Sequence, residues 1–225
     1  MCGIAGFMDT KHQDPSIINT MLDEIKHRGP DGHGTYHTAN GYLGHCRLSI
    51  IDLATGGQPM FSQDKNLVLV FNGEIYNYLE IKEELSAQGY TFQTTSDSEV
   101  LLVGYQAWGE NLVDHLRGMY AFVIYDVQND QYYGARDHFG IKPFYYYHGE
   151  NSFIFASEAK AILKHPDYHL ELDKELLPLY LRFNYVPVDK TMFKGIHRLE
   201  AGTCFTYRQG KLSLRKYFRM EMTGE

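Results

Sequence analysis

At 225 residues and 44% hydrophobic, the chain has the length for one large domain, or a domain with a tail, and the apolar content for a sizeable core. Its net charge of -7 is made of interspersed charges with no basic stripe, so nucleic acid is not an expected partner. No apolar run approaches the ~20 residues of a spanning helix and no signal-peptide pattern opens the chain, so a cytoplasmic protein without membrane contact is expected.

The chain opens on Met1-Cys2-Gly3. If Met1 is removed, Cys2 carries a thiol and a free α-amine on one residue, a nucleophile with its own base. A retained Met1 would acylate that amine and abolish its basicity. The other cysteines are Cys46 and Cys204, and an odd count without close pairing fits a reducing compartment.

Residues 4–9 read as a first strand that would anchor the terminus in a sheet. Asp14-Pro15 opens a helix, with Ile17, Ile18, Met21, Leu22 and Ile25 on its apolar face. Residues 27–34 form a glycine-rich loop able to close over a small ligand. A strand over 41–52 carries Arg47 among apolar residues, which is costly unless the guanidinium meets an anion.

The run 66–71 reads as a strand buried on both faces that delivers Asn72-Gly73-Glu74 at its end. Asn77 and Glu80 suggest a capping-box start for a helix to Leu85, followed by a short strand over 90–93. Asp97 stands at the head of another helix, where capping is the ordinary role for an aspartate. Hairpins are expected over 119–136, 143–157 and 203–217, and helices over 159–164 and 173–184. Many strands joined by tight turns, with helices outside, imply a layered α+β domain with largely antiparallel sheets.

His33 and His37 share a four-residue spacing and His45 adjoins Cys46, but glycines break the stretch and no paired-cysteine knuckle accompanies it. A metal site is therefore not expected.

Six motifs occur in one order: Met1-Cys2-Gly3-Ile4, 27–31 (HRGPD), 47–52 (RLSIID), 72–77 (NGEIYN), 96–100 (SDSEV) and 136–143 (RDHFGIKP). Together they resemble the glutaminase half of glutamine-dependent asparagine synthetases, class II amidotransferases with an N-terminal nucleophile. The resemblance spans residues 2 to about 217 and implies a four-layer α/β/β/α sandwich, with 218–225 a tail or the start of a linker. It implies hydrolysis of L-glutamine to glutamate and ammonia through a γ-glutamyl thioester on Cys2. By the same resemblance Asn72 and Gly73 form the oxyanion hole, and Arg47 pairs with the substrate carboxylate. Asp97 and Glu74 take its ammonium, and Leu48, Ser49, Ile50 and Ile51 complete the substrate-binding set. Arg28 is placed in a positioning role on a mobile loop.

No cofactor is implied for this domain. ATP and magnesium belong to the family's synthetase half, whose phosphate-cradling Ser-Gly-Gly-x-x-Ser loop does not occur in this sequence. A synthetase domain or subunit is thus the expected partner, and a homodimer is left open. Two other readings also stay open: an amidotransferase domain serving another acceptor acid, and a non-catalytic glutamine-binding or docking module.

Overall fold

The computed structural model describes residues 1–48, 57–187 and 189–221. Ser49, Ile50 and Ile51 of the expected substrate-binding set, and the end of the strand expected over 41–52, lie outside them.

In chain order the elements begin with β1 (Gly3–Asp9), α1 (Pro15–Ile25), β2 (Gly32–Thr38), β3 (Gly41–Arg47), β4 (Met60–Phe61) and β5 (Leu67–Ile75). They continue with α2 (Tyr78–Ala87), α3 (Asp97–Trp108), β6 (Gly118–Asp126), β7 (Gln131–Arg136), β8 (Tyr145–His148) and β9 (Ser152–Ala156). The last are α4 (Ala159–Ile162), α5 (Leu177–Phe183), β10 (Ile196–Arg198), β11 (Thr203–Arg208) and β12 (Lys211–Lys216).

Two six-stranded sheets result, ordered β10-β8-β9-β1-β3-β2 and β12-β11-β7-β6-β5-β4, with antiparallel neighbours throughout. Strand alternation divides the apolar residues among three cores. Ile4, Leu43, Val68, Val70 and Phe205 pack between the sheets. Ala5, Phe7 and Tyr42 pack outward against Ile18, Met21 and Leu22 of α1 and Ile162 of α4. Leu69, Phe71 and Ile75 pack outward on the other side, against Ile81 and Leu85 of α2 and Leu101 of α3. The fold is therefore the four-layer α/β/β/α sandwich.

The start of α1 follows the expectation: Asp14 accepts from the Ser16 amide at 2.8 Å and Pro15 takes the first helical position. Several other expectations are corrected. β5 runs on to Ile75, so Asn72, Gly73 and Glu74 lie inside a strand paired with Ala121, Tyr120 and Met119 of β6, not beyond its end. The loop expected over 27–34 is already β2 from Gly32. Asn77 does not close a capping box: its amide donates to His115 O and accepts from Arg117 N, while Glu80 pairs with Arg117. Residues 90–93 form no strand; Tyr90 and Phe92 are half-buried against the outer core without a ladder partner. The helix expected over 173–184 is a 3₁₀ turn followed by α5, closed by Asn184 at φ 59°.

Candidate active site

Cys2 lies one residue before β1, which sits between β9 and β3 in the first sheet. It shares the alternation of Ile4, so its side chain faces the space between the sheets. Cys2 Sγ accepts from the Leu48 amide at 3.4 Å and lies 3.7 Å from the Leu48 carbonyl. Arg47 ends β3 and follows the alternation of Leu43, so it faces the same space. The second sheet answers from β5, where Asn72 and Glu74 continue the inward face of Val68 and Val70.

The open edge of β5 carries the other part of the site. β4 pairs only as far as Leu69, so the later odd-numbered amides of β5 need other acceptors. Gln58 Oε1 accepts from Phe71 N at 2.6 Å, and Asp97 Oδ2 accepts from Ile75 N at 3.0 Å. By the same alternation the Gly73 N–H points toward this edge, between those two caps. The side-chain amide nitrogen of Asn72 is buried and has no hydrogen-bond partner among the described residues. Two donors thus sit on consecutive residues.

Cys2, Arg47, Leu48, Asn72, Gly73, Glu74 and Asp97 all line one cavity of about 210 Å³, the scale of a single amino acid. A guanidinium, two carboxylates and unused amide donors there match a small zwitterion carrying an amide. Burial raises the Asp97 carboxyl above its ordinary value; the Ile75 N–H opposes this and the Glu74 carboxylate adds to it.

The family described as "Glutamine amidotransferase domain" matches residues 1–218. The chain belongs to this amidotransferase family. It is 42% identical over 226 residues to asparagine synthetase [glutamine-hydrolyzing] 1 of Bacillus subtilis strain 168, covering 97% of this chain and 35% of that protein. It is 37% identical over 227 residues to asparagine synthetase [glutamine-hydrolyzing] 3 of the same strain, covering 98% of this chain and 37% of that protein. The chain therefore spans about a third of the length of these relatives. Among solved structures, glutamine phosphoribosylpyrophosphate amidotransferase from B. subtilis shares the fold at a TM-score of 0.69 and 22% identity, over 96% of this chain and 49% of that one.

Arg28 of this amidotransferase domain stands behind the cavity wall, not in it. It ends a 3₁₀ turn, donates from Nε to the Cys2 carbonyl at 3.1 Å, and pairs through Nη1 with Glu158 at 3.0 Å. Gly29 lets this turn approach β3, because a Cβ there would meet the Cys46 carbonyl carbon and oxygen at 2.4 Å.

His45, Gln58, Met119 and Lys142 also line the cavity, although the sequence marks none of them as a site residue. His45 donates from Nε2 to the Phe71 carbonyl at 3.2 Å, which leaves Nδ1 as a buried acceptor. Burial pulls its pKa down to about 4; the Phe71 carbonyl opposes the shift and the Arg47 guanidinium adds to it. His33 and His37, by contrast, lie exposed on β2, and the three histidines do not converge. Met1 also lines the cavity and acylates the Cys2 nitrogen.

No helix among the described residues is long and apolar enough to cross a membrane.

Proposed function

We propose that this chain hydrolyses L-glutamine to L-glutamate and ammonia, with Cys2 as nucleophile once Met1 has been removed. The reading is carried by one observation: Cys2 just ahead of β1, residues at the end of β3 and in β5, and the head of α3, far apart in sequence, line one amino-acid-sized cavity with the charges a zwitterion requires.

Arg47 holds the α-carboxylate through a guanidinium fork. Asp97 and Glu74 take the α-ammonium. The Cys2 amine, through a water, accepts the thiol proton, and the sulfur attacks the side-chain amide carbon. The Asn72 side-chain amide and the Gly73 N–H receive the oxyanion; one such donor contributes ~3 kcal/mol in the transition state. The C–N bond breaks, ammonia leaves with the returned proton, and water hydrolyses the thioester. Arg28 fixes the Cys2 carbonyl, and through it the residue. Leu48 holds Sγ, and Ser49, Ile50 and Ile51 complete the substrate-binding stretch.

In this reading the amidotransferase domain ends near residue 217 and 218–225 lead toward a synthetase part, a separate domain or subunit. The ammonia then serves ATP-dependent amidation of aspartate, supported by likeness to the two B. subtilis synthetases. Three free cysteines favour a reducing, cytoplasmic setting. Light scattering of the purified chain addresses the homodimer.

The decisive experiment is glutamate release by protein whose amino terminus has been verified by intact mass. Wild type should release glutamate and Cys2→Ala should not, at an unchanged melting profile. Release surviving in Cys2→Ala would remove Cys2 as nucleophile. A mass retaining Met1, with glutamine bound but not turned over, would favour the non-catalytic binding module.

A further inference from the structure

Lys142 enters the cavity wall from the loop between β7 and β8. Its backbone is fixed at both ends: its N–H donates to Asp137 Oδ2 at 2.9 Å, and its carbonyl accepts from Arg136 Nε at 2.7 Å. The residue is only 4% exposed. Its ammonium reaches Met1 Sδ at 3.3 Å and has no ion-pair partner among the described residues.

A thioether is a weak acceptor, and a buried cation without an anion is costly. The same cavity holds the Glu74 and Asp97 carboxylates and the Cys2 thiol. Burial is the main influence on the ammonium and lowers its pKa from the ordinary lysine value. Asp137 opposes that shift, Arg28 adds to it, and Cys2 and Glu74 oppose it. Cys2 is the group among these whose charge changes during the proposed reaction.

We propose that Lys142 is a charge-positioning residue for Cys2: its ammonium, held against Met1 in the wall of the cavity that Cys2 also lines, stabilises the negative charge on Sγ as the thiol proton leaves. The inference rests on the glutamine-hydrolysis reading and deepens it. The thiol proton still goes to the Cys2 amine; Lys142 keeps its protons and forms no bond to substrate.

The test compares wild type, Lys142→Met and Lys142→Arg. Two rates are measured: carboxamidomethylation of Cys2 by iodoacetamide at neutral pH, located by peptide mass spectrometry, and glutamate release. Cys46 and Cys204 are buried and are resolved as separate peptides. Lys142→Met should slow Cys2 alkylation about tenfold, the effect of removing one nearby opposite charge. It should lower kcat while KM for glutamine moves less than about twofold, and Lys142→Arg should restore both rates to within about threefold of wild type.

Equal alkylation of wild type and Lys142→Met overturns the proposal. Equal losses in the Met and Arg variants also overturn it, because packing rather than charge would then be responsible. If Lys142→Met does not melt cooperatively, Lys142→Gln is read in the same way. A wild type that releases no glutamate counts against the hydrolysis reading alone, since the alkylation comparison needs no turnover.

Discussion

Asp97 Oδ2 accepts the Ile75 amide at 3.0 Å, which fastens the head of α3 to the open edge of β5. Ser96, not Asp97, caps α3, accepting from the Ser98 amide at 3.2 Å. The aspartate is thus free of the capping duty and presents its carboxylate to the cavity. Asp97→Asn retains an acceptor for Ile75 but removes the charge. It should raise KM for glutamine about tenfold or more with little loss of stability. Asp97→Ala should show the same KM effect and cost a further ~1–3 kcal/mol for the orphaned amide. Initial rates and urea unfolding of the two variants check this; an unchanged KM in both would dismiss Asp97 as the ammonium ligand.

Asn72 has a buried amide nitrogen that no described residue uses. Asn72→Ala should therefore lower kcat by about a hundredfold or more and leave KM nearly unchanged. Unchanged kcat under saturating glutamine would falsify the oxyanion role.

The two buried histidines predict how the protein responds to acid. Burial holds His45 at about 4 and His165 at about 4, against an ordinary 6.5. Both folded values lie below the unfolded one, so the unfolded chain takes up protons first. The stability contributed by keeping these rings neutral is full above the unfolded value and is lost as pH falls toward the folded one. Each should cost about 2 kcal/mol by pH ~5, relative to pH ~7. Urea unfolding across that interval measures the loss, and His45→Gln should flatten the dependence by its own share. A level profile from pH ~7 to ~5 contradicts neutral burial.

Gly29 carries the turn that holds Arg28 against Cys2. A Cβ there would meet backbone atoms of Cys46 and Arg47 at 2.4–2.5 Å, and backbone cannot swing aside as a side chain can. Gly29→Ala should therefore destabilise the domain by at least ~2 kcal/mol, visible as a lowered urea midpoint. An unshifted midpoint would mean that the turn and β3 separate easily.

Much of the site is legible in the sequence because its members stand in short, ordered motifs: Cys2 at the terminus, Arg47 in a strand, Asn72 to Glu74 after an apolar run. Period-two alternation then puts the even residues of β1 and β5, and the odd residues of β3, on facing surfaces. Long-range pairings are not legible in this way. Asn77 looks like a cap but serves the 115–117 loop, a partner almost forty residues away. Tyr90 and Phe92 alternate like a strand, yet their burial comes from packing on the outer core without a ladder. Lys142 and Gln58 reach the cavity from loops whose direction no local pattern encodes.

The inner position of β1 has a practical consequence for making the protein. The amino terminus emerges into the cavity wall, with Met1 itself among the lining residues. An affinity tag or fusion partner joined ahead of Met1 would start from a residue that lines the cavity and would block processing of the terminus. β12, by contrast, is a rim strand of the second sheet, and neither it nor the described residues after it line that cavity.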